Sequence, residues 1–210
     1  MPISAVRLIS LLFLFAFAQS AKAADSGFIE NMPPLAPDGD RAGAMIWTKP
    51  GVDRTSYRKI MVEPITIFIS PESDYKGLDA GELKMLADRF HEAVVATLEP
   101  EIAVVNKAGP GVMYMRAALT DVKLANKKRG ILGYTPIGLV VTTAGNLAGM
   151  RISLKDAVLE VEMLDAASGE RIGVLVDKAP NAAGKELSWD AVNETCVFYA
   201  TRLKSRMLAK

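Results

Sequence analysis

Ala157-Val158-Leu159-Glu160-Val161-Glu162-Met163-Leu164-Asp165-Ala166-Ala167-Ser168-Gly169-Glu170-Arg171-Ile172-Gly173-Val174-Leu175-Val176 decides the fold. Ala157, Leu159, Val161 and Met163 alternate with Glu160 and Glu162, a period of two that places the apolar set on one face of a strand. Asp165 opens a turn that Ser168-Gly169 closes, and Glu170 to Val176 returns as a second strand. Two strands joined by so short a turn form an antiparallel hairpin.

Upstream, Val112 to Leu124 carries the same period, with Met113, Met115, Ala117 and Leu119 on one face and Tyr114, Arg116 and Thr120 on the other. That pattern predicts a half-buried strand of an antiparallel sheet. Tyr57 to Ile69 is rich in β-branched residues and predicts a strand in which Pro64 marks an edge or a bulge. Ile102 to Val105 predicts a short strand, followed by a tight turn at Gly109-Pro110-Gly111. No lysine follows that turn and its proline lacks an amide, so it is not a phosphate loop.

Two helices complete the pattern. Asp79, with Glu82 three residues on, suits the N-terminus of a helix whose Leu83, Leu86, Ala87, Phe90, Val94 and Leu98 form one apolar stripe, ended by Pro100. Ser188 caps a last helix with Trp189, Val192, Cys196, Tyr199 and Leu203 inward, and with Lys204, Arg206 and Lys210 near its C-terminal end, where cations suit the dipole. The predicted order is β-α-β-β, an apolar insert, β-β-α, an α+β fold with a mostly antiparallel sheet and two helices packed on one face.

The N-terminus predicts export. Arg7 precedes an apolar run from Leu8 to Ala18, and Ala21-Lys22-Ala23 supplies small residues at a cleavage site. The run is short for a transmembrane helix, which needs about 20 residues. Cleavage after Ala23 leaves 1–23 as signal peptide, 24–55 as an irregular arm full of Pro and Gly turn signals, and 56–210 as one domain. Phe28 and Trp47 indicate that the arm packs along the domain. Cleavage removes Arg7, Lys22 and no acid, so 25 cations become 23 against 24 acids and the net charge goes from +1 to −1. This balance gives no electrostatic reason for nucleic acid as a partner; the one basic cluster, Lys123 to Arg129, reads as a solvated β-turn. The destination is the periplasm, with no integral span after cleavage.

Ser26-Gly27-Phe28-Ile29, Tyr57-Arg58-Lys59-Ile60-Met61-Val62-Glu63-Pro64, Gly109-Pro110-Gly111-Val112, Arg116-Ala117-Ala118-Leu119-Thr120-Asp121-Val122, Val161-Glu162-Met163-Leu164-Asp165 and Gly169-Glu170 follow in an order and spacing that resembles the bacterial domain-of-unknown-function 3313 family over nearly all of the mature chain. The resemblance implies export and fold rather than chemistry. Many members resemble lipoproteins with a cysteine at the cleavage site, where this chain has Ala23-Ala24. It carries no catalytic residues across.

Standard catalytic equipment is sparse. His91 is the single histidine and sits at the boundary of a helix stripe; Cys196, the single cysteine, sits on the inward face of the last helix and reads as a buried thiol. Glu160 and Glu162 share a strand face about 7 Å apart. Such a pair suits acid and base roles in glycoside hydrolysis, a calcium site, or a polar sheet face with Arg171 or Lys178 as cross-strand partner. No cofactor or metal is called for.

The unusual segment is the uncharged run from Gly130 to Met150, flanked by Lys127-Lys128-Arg129 and Arg151. It reads as a poor transmembrane helix, as a short apolar element covering the sheet, or as a contact surface in which Gly130, Gly133, Pro136, Gly138, Gly145 and Gly149 allow close backbone approach. Three functions follow. One is a non-enzymatic envelope protein that meets an unknown envelope partner through this segment. The others are a hydrolase using Glu160, Glu162 or Asp121, and a module that binds a small ligand between sheet and helices. Sequencing the first residues of the protein from its native host is expected to begin at Ala24; an intact Met1 on a cytosolic species overturns the compartment.

Overall fold

The computed structural model describes residues 26–75, 80–126, 152–180 and 187–209. Strands β1 (Ala36–Pro37), β2 (Ala44–Thr48), β3 (Lys59–Val62), β4 (Thr66–Ile69), β5 (Ala103–Val104), β6 (Val112–Asn126), β7 (Ile152–Asp165) and β8 (Arg171–Asp177) form one sheet, with helices α1 (Ala80–Leu98) and α2 (Trp189–Leu208). The sheet runs β1-β2-β8-β7-β6-β3-β5, with β4 also paired to β6. The meander from β2 through β8 and β7 to β6 is antiparallel, and β3, β4 and β5 add parallel pairs at the far side. The predicted α+β class and mostly antiparallel sheet hold, with both helices on one face.

The long hairpin of β6 and β7 is the centre. Ala117 pairs with Val161 and Leu119 with Leu159 on the helix face, while Arg116 pairs with Glu162 and Ala118 with Glu160 on the back. Its register slips between Thr120 and Leu124, at a bulge where Asp121 has φ 49°. The slip changes the phase of the alternation: the positions that join the helix-face core are Met113, Met115, Ala117 and Leu119 before it, then Val122 and Leu124 after it. The partner β4 shifts with it, since Ile67 faces Leu119 but Ile69 faces Val122. A bulge that bends the strand thus keeps apolar side chains inward on both sides of the bend.

The turn after β7 has the predicted chemistry. Asp165 Oδ1 accepts from the amides of Ala167 and Ser168 and from the Ser168 hydroxyl, and Gly169 takes φ 72°. On the return strand, Gly173 lies opposite Met163, whose methyl would be 2.6 Å from any Cβ there. Glycine makes room for the Met163 side chain to lie across it.

Two expectations need correction. Tyr57–Ile69 is two strands, β3 and β4, rather than one, because Pro64 has no amide for the ladder and the chain breaks around it while Ile65 plugs the core. The arm is more regular than its turn signals suggest. Ala44–Thr48 pairs with β8 along its length, placing Met45 and Trp47 against Val176 and Val174 on the back face. The period of two was present there, hidden between Gly43, at φ 86°, and Pro50-Gly51.

Both helices bury the stripes read from their spacing. Leu86, Phe90, Val94 and Leu98 of α1 and Trp189, Val192, Cys196 and Leu203 of α2 join one core with Ile60, Met113, Leu119 and Leu159 of the sheet. Each such large side chain contributes about 1.5–3 kcal/mol on burial. Lys204 does more than meet the dipole of α2: its Nζ reaches Glu101 at 2.5 Å and the Thr97 carbonyl at 2.8 Å, tying α2 to the end of α1. Asp79 lies outside the described residues. Ser188 is the cap of α2, its hydroxyl accepting from the Ala191 amide at 3.1 Å. Ser188→Ala is expected to cost about 1 kcal/mol, read as a lower denaturant midpoint at unchanged slope; an unchanged midpoint removes the cap from the stability of α2.

Candidate functional site

The sheet has two differently used faces. On the back, Glu162 accepts from Arg116 Nη1 at 2.8 Å and from Arg171 Nε at 2.6 Å, and Arg116 Nε also reaches Glu63 at 3.2 Å. The Arg171 guanidinium continues outward to the carbonyls of Glu30 and Asn31. Phe28 lies under Arg116, 5.0 Å from ring centroid to guanidinium carbon, and Ile29 packs on Val174 and Val176. The arm therefore lies across this face, as Phe28 and Trp47 indicated.

The consequence for the acids is a correction. The partner Arg171 was foreseen, but the face is covered rather than solvated: Glu160 is 2% and Glu162 3% exposed. Glu160 Oε1 accepts from the Thr120 hydroxyl at 2.5 Å, and its Oε2 is buried with no hydrogen-bond partner among the described residues. Glu162 is locked between two guanidiniums, so neither carboxylate is presented to a substrate from solvent. Asp121 sits at the bulge, 3.5 Å from Lys123, which also lies 3.6 Å from Glu72 and from Asp156. Lys123 thus belongs to β6 and to an ion-pair cluster rather than to a solvated turn. The contact segment Gly130, Gly133, Pro136, Gly138, Gly145 and Gly149 lies outside the described residues.

On the helix face, α2 does not close completely on the sheet. Between them is an apolar cavity of about 90 Å³, floored by Met115, Ala117, Leu159 and Val161 and roofed by Cys196, Ala200 and Leu203. Cys196 adds a soft apolar wall, because burial pushes its thiol pKa up to about 12. Thr48, Arg54, Tyr199, Arg202 and Arg206 also line this space.

Spacing explains two of these arginines: Arg202 and Arg206 are four apart, one turn along the same side of α2. Arg54 comes from the 3₁₀ turn Arg54–Ser56, whose N-cap is Asp53, and it donates to the Thr48 hydroxyl at 2.7 Å. Arg202 grips Asp38 with both terminal nitrogens, Nη2 at 2.7 Å, and Nη2 also lies 2.8 Å from Asp40. Arg206 is 3.7 Å from Asp40. Burial, then the charges of Arg202 and Arg54, push the Arg206 pKa below its ordinary value, though a guanidinium still stays charged.

A second pair locks the same loop. Arg41 Nε donates to Asp177 at 2.6 Å and stacks 5.4 Å from both the Phe198 and Tyr199 rings. Asp177, fully buried, also accepts from the Tyr199 hydroxyl at 2.9 Å and the Ala179 amide at 2.9 Å. Burial first, and then this carboxylate, raise the Tyr199 pKa. His91 lies half-buried on α1, beside Glu63 and Tyr114, with Nδ1 unpartnered among the described residues.

Sequence reasoning named the space between sheet and helices but not its arginines. Arg54 and Arg206 are 152 positions apart, and no local pattern announces that they meet.

The DUF3313 family, described as a protein of unknown function, matches residues 24–202. The chain belongs to this family. The resemblance read from the motifs is therefore borne out. Two relatives, from Escherichia coli strain K12 and Escherichia coli O157:H7, are each described as the uncharacterized lipoprotein YdcL and are 24% identical over 165 residues, covering 78% of this chain and 72% of theirs. Among solved structures, the PelC dodecamer from Paraburkholderia phytofirmans is similar over 79% of this chain and 98% of its own, at 12% identity and TM-score 0.37. A DUF4136 family protein from Bacteroides thetaiotaomicron is similar over 80% and 97%, at 10% identity and TM-score 0.37. Among the described residues of this DUF3313 chain, no helix is long and apolar enough to cross a membrane.

Hydrogen bonding to Arg202 holds the Asp38 carboxyl below its usual pKa, and the Ser168 amide and hydroxyl do the same for Asp165. Both carboxylates bind protons less readily folded than unfolded, so their stabilisation is complete above the unfolded pKa of about 4 and is lost as pH falls through the lower folded values. Asp38→Asn is expected to lower the melting temperature by roughly 5 °C at pH 7, with the gap from wild type narrowing at pH 3. A gap that stays constant from pH 7 to pH 3 removes the ionised pair from the account.

Proposed function

We propose that this chain is an exported protein of the bacterial cell envelope that acts by binding rather than by catalysis, and that the cavity between the sheet and α2 is its ligand site. Export is supported by the positive, apolar and small-residue sequence of 1–23 and by relatives described as lipoproteins. The mature unit in this reading is 24–210, with the arm folded onto the domain.

The observation that carries the binding reading is an apolar space that no side chain fills and whose lining includes Arg54, Arg202 and Arg206. Native interiors pack densely, and small-ligand sites are apolar concavities with a few placed polar groups. The catalytic alternative loses support at each of its residues. Glu162 is held by Arg116 and Arg171, Glu160 is buried and takes the Thr120 hydroxyl, and Asp121 sits at the bulge in an ion pair with Lys123. Contact with an envelope protein through 130–150 remains attached to a segment outside the described residues, whereas the cavity has defined walls.

The test uses pentan-1-ol and pentanoate as probes of the mature protein. Either probe at millimolar concentration is expected to raise the melting temperature by a few degrees, as ligands selective for the folded state do. Ala200→Leu, which fills the space from α2, is expected to raise the unliganded melting temperature and abolish the response. No response to either probe, with Ala200→Leu destabilising, shows that there is no usable space and overturns the reading.

A further inference from the structure

We propose that the ligand is a small organic anion with a short apolar tail, its carboxylate or equivalent acidic head held by Arg54, Arg202 and Arg206 and its tail in the cavity. This rests on the binding reading above and adds the chemistry of the ligand.

The charge arrangement is unbalanced. Three arginines line the cavity, and among the described residues the carboxylates paired with them are Asp38 and Asp40. Asp38 is committed to Arg202. Asp40 is 68% exposed and lies 2.8 Å from Arg202 but 3.7 Å from Arg206, so it neutralises Arg206 weakly. Arg54 satisfies one donor on a neutral hydroxyl, and no carboxylate among the described residues pairs with it. Like charges brought together repel, and Asp40, 2.8 Å from Arg202 and 3.7 Å from Arg206, offsets that repulsion only in part.

One donor is also left over. Arg202 Nε is buried and has no acceptor among the described residues, although both terminal nitrogens of the same group are engaged. Buried donors are nearly always paired, and leaving one unpaired is costly. An anionic head beside the arginines that line the cavity supplies the missing charge. Planar guanidiniums suit a carboxylate or phosphate-like head.

The walls set the tail. Leu159, Val161, Ala200 and Leu203 offer no hydrogen-bonding side chain, so the part of the ligand inside must be apolar. A cavity of about 150 Å³ accepts benzene. The space here, at about 90 Å³, takes a tail of about four carbons. A long acyl chain of a membrane lipid exceeds it.

Isothermal titration of the mature protein with pentanoate, pentan-1-ol and decanoate separates the parts. Pentanoate is expected to bind about tenfold or more tightly than pentan-1-ol at low salt. Arg54→Gln and Arg206→Gln are each expected to weaken pentanoate by about tenfold and leave pentan-1-ol unchanged. Decanoate is expected to bind no more tightly than pentanoate. Equal binding of alcohol and carboxylate, or retention of pentanoate affinity in both variants, overturns the anionic head while leaving the cavity as a site. Tighter binding of decanoate overturns the short tail in favour of a lipid acyl chain. Failure of both five-carbon probes overturns the binding reading itself. Circular dichroism of each variant establishes that it is folded before titration.

Discussion

Two ion pairs of opposite polarity hold the loop after β1 against α2 and the end of β8, and much else depends on them. Asp38 takes Arg202 of α2, and Arg41 takes Asp177 of β8. Burying charges is costly unless each is paired and its remaining polar sites are filled. Asp177 meets that condition, accepting from Arg41, the Tyr199 hydroxyl and the Ala179 amide. With one acid and one base on the loop, neither half slides along α2 without uncovering a buried charge. The register of loop, strand and helix is therefore fixed at one point.

The same segment then controls both faces of the sheet. Residues 26–35 cross the back, where Arg171 holds the carbonyls of Glu30 and Asn31 and Ile29 seals Val174 and Val176. The chain passes through β1 and β2 at the sheet edge, and its connecting loop reaches α2 on the helix face. An arm clasped in this way covers the edge of β8 with a paired strand, which removes an open row of backbone donors and acceptors. It also converts what would be an acidic surface on β7 into a buried layer. Glu162 is tolerated there because Arg116 and Arg171 flank it. The sheet is thus a three-layer object locally, with arm, strands and helices in sequence, although its pattern reads as two layers.

That explains what the sequence made legible and what it did not. The β7–β8 hairpin, the helix stripes and the Ser188 cap rest on local periodicity and hydrogen bonding, and each is recovered where expected. The bulge at Asp121 was hidden because apolar residues continue through it, and only the pairing reveals the change of phase. Strand β2 was hidden because five residues between turn signals carry too little pattern to outweigh them. Burial of Glu160 and Glu162 was invisible for a different reason: a strand face reads as solvated when its cover comes from more than a hundred residues away. The arginine cluster fails the same way, since Arg54 and α2 converge only through the tertiary fold.

A cavity that no side chain fills is itself a physical statement. At about 24 cal/mol per Å³, a space of about 90 Å³ forgoes about 2 kcal/mol of packing. Net stabilities are only about 5–15 kcal/mol, so this is a large fraction to leave unused when Ala200→Leu on α2 would fill it. Clustering Arg54, Arg202 and Arg206 at the same place adds repulsion to the missing contacts. Departures from good packing and good charge pairing coincide at one location in an otherwise consistent fold, which is the pattern the proposed ligand site would produce. The loop that locks α2 also fixes Arg202 beside this space, so one residue serves both the buried ion pair and the cavity wall.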